Sequence, residues 1–167
     1  MRAGSKRCFS AWSSGTERLS SFIEIDEMEN LFGFRFHHLG LAAQTPDPAK
    51  SFLLALGYHA GDTIFDPLQN VRLTMCEHRS MPAVEIVSRG DGKGPLDYLL
   101  SRHSDGLIYH MCYSTGDLER ALQALIEAGL RVHCVSPPKP AILFAGKRVS
   151  FYQIIGMGLI EIIDERE

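Results

Sequence analysis

"HLGLAAQTPDPAKSFLLALGY", residues 38–58, and "HMCYSTGDLERALQALIEAGL", residues 110–130, follow one plan, and their two histidines lie 72 residues apart. Each segment opens on a His in an apolar strand, turns through Pro/Asp or Gly/Asp, and enters a helix. In the second, Leu118, Ala121, Leu122, Leu125 and Ile126 form the i, i+3, i+4, i+7 stripe of a helix with one buried face, and Gly129 stops it. In the first, Phe52, Leu53 and Leu56 play that part and Gly57 stops it, again 72 residues from its counterpart. Self-similarity at a fixed offset marks a repeated supersecondary unit.

The halves also end alike. "PAVEIVSRG" closes the first with Glu85 and "GLIEIIDER" closes the second with Glu161, giving His-to-Glu spacings of 47 and 51. Between helix and Glu lie β-rich runs, "NVRLTMCEH" and "KRVSFYQII", bounded by turn residues. Each half therefore reads as βαβββ, and the fold class expected is α+β. Two such modules bury little core alone, so their strands are expected to form a curved mixed sheet around a shared cavity. Module 1 is expected over residues 35–88 and module 2 over 106–165, forming one domain of 35–165. The linker 89–105, "RGDGKGP" followed by a short helix near Leu96–Ser101, reads as a flexible joint; its glycines match no phosphate-binding pattern.

Alternation along a strand then sorts the polar residues. Leu39 and Leu41 belong against the helix, and His37 is expected to point with them. His38 should point with Phe36 and Gly40 into the cavity. The flanking Val84 and Ile86 leave Glu85 facing inward, Ile160 and Ile162 leave Glu161, and Met111 leaves His110. Two imidazoles and two carboxylates thus converge, one pair from each half. Buried carboxylates facing one another are costly, and a divalent cation relieves both their desolvation and their repulsion. Such a donor set suits one octahedral first-row ion with two positions open to water or substrate, cobalt, nickel, manganese, zinc or ferrous iron being compatible.

The totals narrow the remaining classes. With 167 residues and a net charge of -3, the chain suits one domain and carries no basic footprint for nucleic acid. No apolar run approaches the ~18 residues of a membrane span. Cys8, Cys76, Cys112 and Cys134 show no C-x-x-C spacing, which suits reduced thiols and a cytoplasmic location. Residues 1–34 read as a disordered or targeting-like extension, because "MRAGSKRCFSAWSSG" is basic, Ser-rich and free of acids. Organelle targeting by residues 1–30 is the alternative to a cytoplasmic location.

Across residues 36–164 the chain resembles the vicinal oxygen chelate superfamily, most closely its methylmalonyl-CoA epimerase branch. The likeness rests on the two quoted segments, "AGKRVSF" and "GLIEIID". It implies paired βαβββ modules, usually in a homodimer, with His38, Glu85, His110 and Glu161 as metal ligands by motif. Glu85 stands where epimerases commonly carry Gln, and matches glyoxalase I instead. The epimerases' non-ligand catalytic Glu aligns with Leu73, which moves no proton. "YQIIGMG" also lacks the His-Pro-Lys turn common before the last strand of that branch.

The resemblance implies chemistry on adjacent substrate oxygens, with the cation stabilising a forming enolate. The function expected first is therefore a metal-dependent epimerase or isomerase working α to the carbonyl of an acyl-CoA or 2-oxo compound. Glu161 is the candidate base and Glu77 a weaker one; Cys112 is expected on the cavity face without a nucleophile's partner. Lys147 and Arg148 are candidates to meet an anionic substrate group. A glyoxalase-I-type lyase and a non-catalytic binder of the resistance-protein type are the alternatives. An extradiol dioxygenase would leave Glu85 surplus.

Overall fold

The computed structural model describes residues 30–103 and 106–166. The expectations for residues 1–29, Cys8 included, lie outside the described residues. Module 1 runs β1 (Arg35–Ala43), α1 (Asp47–Ala55), β2 (His59–Ala60), β3 (Ile64–Asp66), β4 (Val71–Glu77) and β5 (Ala83–Arg89). After α2 (Leu96–Arg102), module 2 runs β6 (Leu107–Thr115), α3 (Leu118–Glu127), β7 (Val132–Pro140), β8 (Arg148–Ile154) and β9 (Gly158–Asp164). A 3-10 turn, Ile142–Phe144, interrupts the path from β7 to β8.

All nine strands join one curved, open mixed sheet in the order β2-β4-β5-β1-β6-β9-β8-β7, with β3 also paired to β4. Within each module the first strand pairs parallel with the last, β1 with β5 and β6 with β9, as a crossover through a helix requires. The modules meet where β1 and β6 pair antiparallel. Leu39 lies opposite Met111, and these two residues are themselves 72 apart, so the repeat folds as a pseudo-two-fold about this pair.

The helix boundaries act as read, but the buried stripes are narrower than expected, since Phe52, Leu56 and Ile126 are exposed and Leu53 alone buries α1. The Asp117 carboxylate accepts a hydrogen bond from the Arg120 amide and caps α3. Gly57 and Gly129 end α1 and α3 with φ of +93° and +77°, a conformation that costs a glycine nothing. Leu53 of α1 packs on Tyr58, Cys76, Val84 and Ile86, while Leu118 and Leu125 of α3 pack on Tyr152, Ile160 and Ile162. Both helices thus cover one face of the sheet and leave the opposite, concave face for the polar quartet.

The linker is not the loose joint its glycines suggest. The Asn70 side-chain amide donates to the carbonyls of Asp91 and Lys93, Arg72 pairs with Asp91 at 2.9 Å, and Arg89 pairs with Asp97 at 3.1 Å. Leu96 and Leu100 then bury α2 against Ala42, Val71 and Leu73. Cys76, Cys112 and Cys134 are free thiols.

Packing begins ahead of β1. Phe32 and Phe34 join the core beneath α3, and Phe34 stacks on Tyr113 with ring centroids 5.5 Å apart. Phe34→Ala should therefore cost about 2 kcal/mol, lowering the melting temperature by roughly 4–8 °C in a thermal denaturation followed by circular dichroism. An unchanged transition would detach this segment from the core.

Candidate metal centre

Strand register alone brings the four expected residues together. Across the central pair, His38 lies opposite Cys112 and His110 opposite Gly40. One strand further out, Glu161 lies opposite Cys112 and Glu85 opposite Gly40. Two adjacent rungs of the sheet thus read Ala83–His38–Cys112–Glu161 and Glu85–Gly40–His110–Leu159. In each rung a His and a Glu stand on strands with one strand between them, and that strand contributes a small residue. Their side chains lean over that residue and meet. The space is strict at Gly40, where a Cβ would fall inside the His110 imidazole. Cys112 occupies the repeat-equivalent position, 72 residues on.

The same four atoms converge in every contact. His38 Nε2 is 3.5 Å from Glu85 Oε2 and 3.3 Å from Glu161 Oε2. His110 Nε2 is 3.9 Å and 3.5 Å from those oxygens, and the two Nε2 atoms are 3.4 Å apart. Ligand atoms about 2.0–2.2 Å from a shared ion lie roughly 3–3.5 Å from one another, so this spacing fits a single first-row cation. All four residues are buried, and Glu161 Oε2 and His110 Nδ1 find no hydrogen-bond partner among the described residues. The Glu161 oxygen has the two imidazole Nε2 atoms beside it at 3.3 and 3.5 Å, and an ion shared with those nitrogens would satisfy it.

Charge follows the same geometry. Burial pushes His38 down, but hydrogen bonding to Glu161 and Glu85 outweighs it and raises the imidazole to about 9. His110 is lowered to about 4, chiefly by burial. Burial and the neighbouring Glu161 raise Glu85. Burial also works against ionised Glu161, yet His38, His110 and the Cys112 thiol together hold its carboxyl below the ordinary value. Two ionised carboxylates here would carry two negative charges, and without an ion protonation of His38 or of Glu85, whose carboxyl burial raises, offsets part of that charge. A divalent cation would balance all of it while leaving both imidazoles neutral.

The cavity above the four residues holds only about 10 Å³, about one water. Phe144 closes it from the 3-10 turn, its ring stacked on His38 at 5.9 Å and edge-on to His37 at 5.4 Å. Tyr109, Gln69, Val87 and Phe151 line both this space and a neighbouring cavity of about 470 Å³. Tyr109 was not singled out from the sequence; its only signal there is its place directly before His110. Burial, followed by the nearby Glu85 and Glu161 carboxylates, pushes its phenol well above the ordinary tyrosine range. A cleft of about 440 Å³ on the helical face, lined by Leu41, Phe52, Val84 and Ile108 among others, has no titratable side chain in its wall among the described residues.

The other candidates stand further off or are engaged elsewhere. Leu73 lines the small cavity together with Glu85 and Glu161. Glu77 is exposed at the end of β4, opposite His59. Lys147 is exposed just beyond the Phe144 turn, whereas Arg148 pairs with buried Asp164 at 3.1 Å. Cys112 is fully buried, and its thiol is pushed far up by burial and by Glu161, so it stays protonated.

The model of the glyoxalase/bleomycin resistance protein/dioxygenase superfamily matches residues 37–151, and the chain belongs to that superfamily. No curated protein matches the sequence as a whole. Among solved structures, a hypothetical protein from Bacillus halodurans C-125 superposes with a TM-score of 0.66 at 19% identity, over 80% of this chain and 96% of that one. Methylmalonyl-CoA epimerase from Mycobacterium tuberculosis gives 0.63 at 18% identity, over 79% and 88%. A variant of the Streptomyces coelicolor methylmalonyl-CoA epimerase, in complex with 2-nitronate-propionyl-CoA, gives 0.61 at 20% identity, over 80% and 98%. These likenesses establish the fold, the vicinal oxygen chelate arrangement of paired βαβββ modules.

Because His110 occupies the space above Gly40, Gly40→Ala should displace the imidazole and cost about 1–3 kcal/mol through overpacking. Chemical denaturation reads the loss, and the His110 ring resonances in an NMR spectrum should shift. Retention of both would place His110 elsewhere.

Proposed function

We propose that the chain is a metal-dependent enzyme that transfers a proton at the carbon next to a carbonyl, its substrate an acyl thioester such as an acyl-CoA or a related 2-oxo compound. The observation that carries this reading is the convergence of two Nε2 and two Oε2 atoms on one buried point. His38, Glu85, His110 and Glu161 would hold one divalent ion, cobalt, nickel, manganese, zinc or ferrous iron. Such an ion, when bound, supplies Lewis-acid stabilisation of the negative charge that develops on substrate oxygen.

The chain's own residues divide the remaining work. The titratable groups lining the small cavity are Glu85, Glu161 and Tyr109. Tyr109 keeps its proton, so the base is a carboxylate, and Glu161 is the candidate, its Oε2 leaving the donor set to act. Glu161 Oε2 takes the proton from the α-carbon, and the Tyr109 hydroxyl donates a hydrogen bond to the substrate. Leu96, Leu99, Val135 and Phe151 give the neighbouring cavity apolar walls that seat the rest of the molecule, with Lys139 among its few polar groups. Leu73 offers no second acid, which favours proton exchange on one face of the α-carbon over full epimerisation. The reading includes a homodimer, as the family resemblance implies, and a cytoplasmic location, which suits the cysteine pattern.

His110→Ala should strip most of the metal from protein purified without chelators, as measured by elemental analysis. With metal-loaded parent and methylmalonyl-CoA in deuterated water, NMR should show deuterium entering the α-carbon without net inversion. Glu161→Gln should slow that exchange by ~10²–10⁴, the usual worth of a general base. The glutathione hemithioacetal of methylglyoxal tests the lyase alternative in the same assay. Inertness toward both substrates would leave a small-molecule binder.

A further inference from the structure

The adjacent histidines of β1 do not point apart as an unbroken strand would place them. Phe36 lies opposite Tyr113 and His38 opposite Cys112, so two steps along β1 match one step along β6 and His37 is the extra residue of a β-bulge. The bulge brings the His37 ring back against its neighbour, with Nδ1 of His37 2.8 Å from Nδ1 of His38 and the rings at 80°. The pseudo-two-fold repeats the device. Gly40 lies opposite His110 and Leu41 opposite Ile108, which makes Tyr109 the extra residue on β6, 72 positions after His37. Its ring also stands edge-on to the following imidazole, at 4.5 Å and 77°.

Chemistry separates the two halves. Two nitrogens 2.8 Å apart hold one proton between them, since two lone pairs repel and two N–H groups collide. For His38 Nε2 to offer its lone pair to an ion, the proton of the neutral ring must sit on Nδ1. His37 Nδ1 is then the acceptor, and neutral His37 keeps its own proton on Nε2. Tyr109 offers His110 only its ring, and His110 Nδ1 has no hydrogen-bond partner among the described residues. We infer that His37 is a positioning residue which accepts the Nδ1 proton of His38 and so aims the Nε2 lone pair at the ion, a support that His110 lacks. This rests on the metal reading proposed above.

The test compares full-length parent, His37→Phe and His37→Asn. Phe keeps an aromatic ring against Phe144 but accepts nothing; Asn places an amide oxygen where Nδ1 was. Cobalt and zinc affinities are measured by competition with a chromophoric chelator, and His38 protonation by long-range ¹⁵N–¹H NMR of zinc-loaded protein. His37→Phe should weaken cobalt binding about 10–100-fold and change the cobalt d–d spectrum, with His37→Asn recovering to within about threefold of the parent. Metal-free melting temperatures should agree among the three, because His37 is exposed. In the parent, His38 Nδ1 should carry the proton. Parent-like affinity in His37→Phe, or a loss in His37→Asn as large as in His37→Phe, overturns the inference and leaves the metal reading intact. So does a proton on His37 Nδ1 in the zinc-loaded parent. Failure of the parent to take up cobalt or zinc overturns the metal reading itself, and the inference with it.

Discussion

Everything at the centre of this protein depends on the antiparallel pairing of β1 with β6 about Leu39 and Met111. Each module supplies one His and one Glu, which alone would make a half-site exposed at a sheet edge. Joining the two edges around a residue pair that the repeat itself relates interleaves the half-sites, so that each rung carries the His of one module and the Glu of the other. A slip of one residue in that register would turn one histidine to the helical face and leave its carboxylate partner buried alone. The register is therefore held by electrostatics as well as by hydrophobic packing.

The rungs impose a second demand, on size. A His and a Glu on strands two positions apart cannot touch unless the residue on the strand between them yields its space. Gly40 and Cys112 do so, and at Gly40 the imidazole of the opposite module fills the vacated volume. The result is four donor atoms, two nitrogens and two carboxylate oxygens, packed in a nearly dry setting under Phe144. In such surroundings the carboxylates need positive charge, from protons or from a metal ion. Phe144 and Leu143 cover that point from a turn whose neck is tied by the Ala141 amide to the Lys147 carbonyl. The larger cavity alongside is mainly apolar, so the site's polarity is concentrated at its floor.

The repeat was legible because it is written in residue types with strong local meaning. His in an apolar strand, a turn, an amphipathic helix, a stop glycine and a Glu between isoleucines or valines recur at nearly fixed spacing. Alternation then assigned His38, His110, Glu85 and Glu161 to one face, and the folded sheet has them there. The same rule misplaced His37. Alternation assumes an unbroken strand, and the bulge at His37 adds a residue that no composition signal announces. Tyr109 escaped notice for the same reason. The linker was misread because glycine content says nothing of Asn70, twenty residues away, which pins it.

By itself the amino-acid order determined the modules, their helices and strands, and which side of each strand would be costly to bury. These are short-range properties, governed by side-chain period, capping and turn chemistry. Only the tertiary structure decided which strand edges meet, where the two bulges fall, and that Gly40 must stay small to admit an imidazole from 70 residues further along the chain. Those features arise from contacts between distant segments, where geometry to a fraction of an ångström, rather than residue type, separates four scattered polar side chains from a single cluster of donors.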